Sequence, residues 1–174
     1  MMLKRVLDLI IGISAALVFA VPYLFIILSV RLSSPGPVLY WSRRAGIHGT
    51  FFMMPKIRTM QVNTPEVATD KLGDAKSYLT PIGSFLRRTS LDELPQLYSV
   101  MRGDMSIVGP RPALHNQDEL IAGRAELGID QLRPGVTGWA QINGRDEIAL
   151  QDKLRFDQEY LARQSLFFDL KIIL

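Results

Sequence analysis

Residues 9–30, LIIGISAALVFAVPYLFIILSV, form an unbroken run of 22 residues without a formal charge. As a straight helix the run would be about 33 Å long, enough to cross the hydrocarbon core of a bilayer. No small-x-small cleavage site follows and Arg31 closes it, so it is read as a retained membrane helix rather than a signal peptide. Pro22 lies inside the run, where it removes a backbone hydrogen bond and crowds the preceding turn. Lys4 and Arg5 precede the run, and Arg31, Arg43 and Arg44 follow it. The positive-inside rule therefore gives no reason to put its ends on opposite sides of a membrane. Two topologies stay open on these residues: a kinked spanning helix, and a helix bent at Pro22 with both ends cytoplasmic.

Outward from this run, the chain of 174 residues has room for one modest domain with a real core. Its apolar share of 48% and mean hydropathy of +0.14 are high, and much of that excess sits in the N-terminal run. The net charge is only +3, but the basic residues cluster, which suits lipid headgroups and phosphates. No recognisable nucleic-acid module accompanies them, so a nucleic-acid partner is not expected. The absence of cysteine excludes disulfides, thiol nucleophiles and Cys-ligated zinc. The two histidines, His48 and His115, lack metal-ligand spacing and supply neither a histidine metal site nor a Ser-His-Asp triad.

The turn cluster Ser33-Ser34-Pro35-Gly36-Pro37 ends the membrane segment. Residues 38–42 and 50–57 are β-branched and aromatic, and Gly46-Ile47-His48-Gly49 between them reads as a hairpin connection. Residues 61–76 predict a polar loop with a short helix. Helical spacing marks 82–88 and 91–101, and a short apolar strand or loop enters a proline-rich turn over 105–112. Residues 116–127 and 150–164 predict charged amphipathic helices. The apolar end, 166–174, is expected on a membrane surface. The expected fold is α+β, mainly helical, with a small β-hairpin, an anchor over 1–32 and a catalytic domain over 33–174.

Three segments carry candidate chemistry. In Ser90-Leu91-Asp92-Glu93-Leu94-Pro95-Gln96-Leu97, the Ser-x-x-Glu spacing is that of a helix capping box, the stronger reading on spacing alone. The functional reading is a pair of carboxylates, Asp92 and Glu93, near Arg87 and Arg88, with the cations and a helix dipole favouring ionisation. An ionised Asp92 can attack phosphorus while its neighbour holds a divalent metal. In Val108-Gly109-Pro110-Arg111-Pro112, two prolines restrict the backbone around Arg111, whose planar guanidinium suits a phosphate, a nucleobase edge or simply a carboxylate. Asp104 just before it is a second metal ligand or a turn residue. The run from Arg133 to Arg145 carries closely spaced glycines and Trp139; it wraps a phosphate or base, or is a compact packed loop. It is neither a Walker A loop nor GxGxxG. Lys56-Ile57-Arg58-Thr59-Met60 adds cations at the end of the hairpin.

In this order the segments resemble the bacterial sugar transferase family, the small monotopic polyprenyl-phosphate phosphoglycosyltransferases. The matching residues begin with Lys4-Arg5-x-x-Asp8, Ser34-Pro35-Gly36-Pro37, Lys56-x-Arg58-Thr59-Met60 and Thr80-Pro81-Ile82-Gly83. Arg87 to Leu97, Gly103 to Pro112, Arg133 to Arg145 and Asp169-Leu170-Lys171-Ile172 complete them. The resemblance implies a re-entrant anchor in the bacterial inner membrane with the catalytic domain facing the cytoplasm. It implies Mg2+ as cofactor, and UDP-sugar and polyprenyl (undecaprenyl) phosphate as partners alongside inner-membrane lipid. Asp92 would attack the sugar-bearing phosphate, release UMP and hold an aspartyl phosphosugar for transfer to the acceptor. Asp92 and Glu93 would hold the metal, and Lys56, Arg87, Arg111 and Arg145 would bind substrate. Such an enzyme performs the first membrane step of bacterial glycoconjugate synthesis. The chain departs from the family at Val21-Pro22, where many members have Ser-Pro. The competing reading is a non-catalytic membrane scaffold with a basic surface.

Overall fold

The computed structural model describes residues 2–65, 72, 74, 76–144 and 148–174. It is α+β and mainly helical, as the sequence pattern predicts. The apolar run enters a single helix, α1 (Met2–Ser33), which continues through Pro22. Leu17, Val18, Leu24 and Phe25 are each more than 60% exposed along it, so much of its apolar surface has no protein partner. α1 is long and apolar enough to cross a membrane.

Both ends of α1 are seated on the rest of the chain. Near its start, buried Asp8 accepts from Ser106 Oγ and from the Ile107 N–H at 2.9 Å. Lys4 Nζ donates to the Val108 carbonyl at 3.0 Å and to Asp169 at 2.7 Å. Arg5 donates to the Val100 and Met101 carbonyls. The basic start of the chain is thus tied to protein carbonyls and a carboxylate. Near the other end, Ile26 and Val30 form a buried cluster with Ile57 and Leu86.

The hairpin forms where expected. β1 (Leu39–Ala45) pairs antiparallel with β2 (Phe51–Ile57), with Leu39 opposite Ile57 and Ala45 opposite Phe51. A 3-10 turn over Ile47–Gly49 joins them. Just past β2, the buried Arg58 donates to the Ser34 carbonyl, the Ser34 hydroxyl and the Pro35 carbonyl. The Ser-Pro-Gly-Pro turn and the Lys-x-Arg segment are therefore two halves of one clasp at the end of the anchor. The loop expected over 61–76 falls in part outside the described residues.

α2 (Gly83–Thr89) ends at Ser90, which is left-handed with φ 56°. The helix expected over 91–101 is divided into a 3-10 turn, Leu91–Glu93, and α3 (Gln96–Arg102). Pro95 explains the division, because it has no N–H to donate into a continuous helix but suits a helix start. The capping box does not form: the Ser90 side chain makes no cap bond, and Glu93 turns to other partners.

One pairing escapes the sequence pattern. β3 (Ser106–Val108) pairs in parallel with β4 (Gly135–Thr137), Ser106 opposite Gly135 and Val108 opposite Thr137. The glycines of the Arg133 to Arg145 run serve this pairing: a Cβ on Gly135 would overlap the Gly109 amide nitrogen, and one on Gly138 the Gly109 carbonyl. Close backbone approach needs glycine there. The described part of this run is packed against the domain as a short strand. It continues into α5 (Trp139–Ile142), whose Trp139 ring tilts onto Phe168 at 5.0 Å between centroids and donates to Glu159 at 2.9 Å.

α4 (Asp118–Glu126), α6 (Leu150–Arg163) and α7 (Leu166–Ile173) complete the fold. The main core gathers Val100, Met105, Val108, Ile129, Tyr160 and Phe168. α7 buries Phe168, Asp169 and Ile172 in it and exposes Phe167 and Leu170.

Candidate active site

β2, the 3-10 turn before α3, and the turn after β3 bring three of the predicted residues to one point. Lys56 Nζ donates to Glu93 Oε1 at 2.8 Å, and Arg111 Nη2 donates to the same oxygen at 3.1 Å. The side chains of Lys56 and Glu93 are only 15% and 16% exposed, so both bonds are sheltered and charge-assisted. Arg111 is more open, at 32%. Asp92, the neighbour of Glu93, is buried with 6% exposure.

The two carboxylates sit in opposed electrostatic settings. Burial raises the Asp92 pKa above the usual carboxylate value, with Lys56 and Arg87 pulling down and Glu93 pushing up. The cations do favour the ionised Asp92, as expected, but desolvation outweighs them. Burial also acts to raise Glu93, but Lys56 and Arg111 together outweigh it and hold the group down at about 2. Lys56 itself is lowered, because burial of its ammonium and the nearby Arg111 outweigh what Glu93 returns. Adjacent residues thus form a pair in which Glu93 is firmly ionised and Asp92 holds its proton more readily. Such divergence within one pair marks sites of acid-base or nucleophilic chemistry.

The backbone around Arg111 is fixed carbonyl by carbonyl. Lys4 Nζ donates to Val108 O at 3.0 Å, and the Tyr160 hydroxyl, which donates to Asp169 Oδ1 at 2.6 Å, lies 3.2 Å from the same carbonyl. The Gly135 N–H donates to Pro110 O at 2.9 Å, Arg124 Nη1 to Arg111 O at 2.8 Å, and Arg44 Nη1 to Pro112 O at 3.0 Å. Arg124 is held in turn by Asp157, buried to 1% exposure, through Nε at 2.9 Å and Nη2 at 2.6 Å. Burial raises the Asp157 pKa against the pull of Arg124. Sequence reasoning missed Arg124, Asp157 and Tyr160, because all three lie on helices whose charge pattern reads as solvent-facing. No local spacing reveals that α4 and α6 meet at a buried ion pair.

The other candidates are placed as follows. Arg87 lies on α2 near enough for its charge to act on Asp92. Asp104 pairs with Arg102 at 3.3 Å in the turn after α3. Among the described residues, no cluster of three carboxylates or histidines forms around a metal-sized gap. Arg145 lies outside the described residues.

This convergence of a carboxylate pair with cations from three segments agrees with what the whole sequence matches. The model of the bacterial sugar transferases matches residues 1–174. The chain belongs to the bacterial sugar transferase family. Among its relatives within that family is the UDP-glucose:undecaprenyl-phosphate glucose-1-phosphate transferase of Escherichia coli K12, 40% identical over 181 residues. That alignment covers 99% of this chain and 39% of the relative. A protein of the same name from Caulobacter vibrioides is 39% identical over 180 residues, covering 98% of this chain and 67% of the relative. The uncharacterized sugar transferase EpsL of Bacillus subtilis is 40% identical over 173 residues, covering 99% and 84%. This sugar transferase therefore spans well under half of the Escherichia coli relative and most of the Bacillus one.

Proposed function

We propose that this chain transfers a sugar phosphate from a UDP-sugar to polyprenyl phosphate, in bacterial polysaccharide synthesis, through a covalent intermediate on Asp92. The observation that carries this reading is the buried Asp92 beside a Glu93 that Lys56 and Arg111 clasp from separate segments. The relatives' names supply the substrate classes. The reaction is written in two displacements at one phosphorus. An Asp92 carboxylate oxygen bonds to the sugar-bearing phosphorus, and the bond from that phosphorus to the bridging oxygen breaks with its electron pair leaving on UMP. A phosphate oxygen of the acceptor then bonds to the same phosphorus, and the acyl phosphate bond breaks to return the Asp92 carboxylate.

Phosphoryl transfer asks a protein mainly for positioning and for positive charge where negative charge builds up. Lys56 and Arg111 provide that charge from a fixed frame, and Arg87 adds to it at Asp92. Displacing either cation from Glu93 toward a substrate phosphate exchanges one charge-assisted bond for another. Burial raises the Asp92 pKa, and Lys56 and Arg87 pull it back toward the carboxylate that attacks.

Mg2+ fits this pair. It is commonly held by one or two carboxylates together with substrate phosphates, and it demands oxygen donors. Asp92 and Glu93 are such donors, and both cation bonds to Glu93 fall on Oε1. When bound there, the metal would neutralise phosphate charge and orient the leaving group.

The re-entrant topology belongs to the same proposal. α1 is seated at Asp8 on β3 and at Ile26 and Val30 on the hairpin base, so both its ends meet one domain. A straight span would carry one end roughly 30 Å away across the bilayer. Seating at both ends supports keeping both ends on the cytoplasmic side, and a return would turn at Pro22, which α1 carries inside one continuous helix.

The test uses the protein with UDP-glucose and Mg2+ but no acceptor. It should release at most one UMP per active site, and Asp92→Asn should release none. Full turnover by Asp92→Asn with acceptor present would exclude the covalent step.

A further inference from the structure

The hairpin turns an apolar face away from the domain. Side chains alternate along paired strands, so Trp41, Arg43, Phe51 and Met53 fall on one side, with Arg43 directly opposite Met53. The other side is the inner one: Ser42 and Met54 are 0% and 2% exposed, and Lys56 leaves that side for Glu93. On the outer side Trp41, Phe51 and Met53 are 45%, 43% and 50% exposed. An antiparallel sheet with one solvated face ordinarily carries polar residues there. Among these four residues the only charge is Arg43, whose guanidinium lies over the Phe51 ring at 4.6 Å from its centroid.

The neighbours of this face indicate what covers it. At one end the anchor does so, where Leu39 and Ile57 pack with Ile26 and Val30. Next along the strand, Trp41 lines one groove with Ala16 and Phe19 of α1, and its ring meets Tyr98 of α3 edge to face at 6.5 Å. Arg43, Met53 and Phe51 lie beyond Trp41 on the same side of the paired strands. A bilayer that takes the exposed side of α1 therefore continues onto the hairpin.

Charge points the same way. Residues 9–65 contain no carboxylate, and the hairpin segment, 38–60, carries Arg43, Arg44, Lys56 and Arg58. An anionic leaflet attracts such a segment, whereas a second copy of it is repelled. Tryptophan settles at the headgroup level, and an arginine there lays its stem on apolar surface while its head meets phosphate. We propose that the outer face of the hairpin is a second membrane contact, with Trp41, Phe51 and Met53 in the headgroup layer and Arg43 on a lipid phosphate. The proposal rests on α1 as the membrane anchor and adds a second point of attachment. Two attachments fix the tilt of the domain on the bilayer. The strand that rests Phe51 and Met53 on lipid holds Lys56 in the site from its inner face, so this contact sets the depth of the site.

The absence of cysteine allows a single spin label at Met53→Cys, with Glu119→Cys on the exposed side of α4 as the comparison. Each full-length chain is placed in vesicles of phosphatidylethanolamine and phosphatidylglycerol, and collisions with oxygen and with a water-soluble nickel complex are measured. The oxygen-to-nickel ratio should be at least threefold higher at Met53→Cys than at Glu119→Cys. Adding Arg43→Glu should lower the Met53→Cys ratio at least twofold, with a melting temperature within a few degrees of the parent; should that variant not fold, Arg43→Gln takes its place. Equal ratios at the two sites would overturn the contact. So would dipolar broadening between labels at Met53→Cys, which would show a second copy on this face. A folded Arg43 variant with an unchanged ratio would remove Arg43 from the contact. Failure of the unaltered chain to float with vesicles would instead overturn the anchor on which the proposal rests.

Discussion

Lys56 Nζ lies 2.8 Å from Glu93 Oε1, joining a strand of the hairpin to the turn that carries Asp92. The bond fixes Glu93 as the ionised member of the carboxylate pair and leaves burial to govern Asp92.

A pH dependence of stability follows. Glu93 has a folded pKa of about 2 against an ordinary 4.5. A depressed carboxylate contributes stability above its unfolded pKa and loses it as pH falls through the folded one. Unfolding of the metal-free protein should therefore become easier from about pH 4.5 toward pH 2, and Glu93→Gln should flatten that slope. The lowered pKa of Lys56 means that the pair is worth less than the Glu93 shift alone implies. Thermal melts of both proteins at pH 7, 4 and 3 read this directly; identical slopes would contradict the assignment.

The Arg124–Asp157 pair should act through Arg111. Removing one partner of a buried ion pair commonly costs about 3–5 kcal/mol. Asp157→Asn should lower the melting temperature by several degrees and raise the KM for UDP-sugar more than Asp152→Asn, a change at a half-buried position on the same helix whose partner is Arg155. Melting curves and donor kinetics at a permissive temperature check both parts. An unchanged KM in the folded variant would remove Arg124 from the positioning of Arg111.

The packed glycines make a sharper contrast. Gly135→Ala places a methyl against the Gly109 backbone and should prevent the β3–β4 pairing, giving little folded protein. Gly49→Ala meets no atom within 4 Å and suffers only the strain of its positive φ, on the order of 1 kcal/mol. Expression in the membrane fraction and melting temperature should separate the two clearly; equal tolerance would count against the parallel pairing.

Local chemistry made much of this architecture readable. The apolar run, the hairpin and the charged helices each carry their own period, and all three form. The segments that bear Asp92, Glu93, Lys56 and Arg111 stand out because their prolines and clustered charges are unusual in a plain surface loop. What the sequence hides is pairing at long range. β3 and β4 are three residues each and too short for a period, so the glycines of β4 look equally suited to cradling a phosphate. Ser90 and Glu93 have the spacing of a cap, but a left-handed Ser90 and two distant cations take Glu93 elsewhere. Lys4 and Asp169 stand at opposite ends of the chain and show no relation until the fold brings them to 2.7 Å.

Because the chain has no cysteine, topology can be read with single substitutions. Met2→Cys and Ser84→Cys, both at exposed positions, should react with an impermeant thiol reagent from the same, cytoplasmic side. Labelling of Met2→Cys from the periplasm alone would rule out the re-entrant helix.

The covalent step is open to direct weighing. Protein mixed with UDP-glucose and Mg2+, without acceptor, should gain the mass of one glucose phosphate, mapped to Asp92 and discharged when polyprenyl phosphate is added. Asp92→Asn should gain nothing. Full acceptor turnover with no adduct on Asp92 at any time would contradict the account.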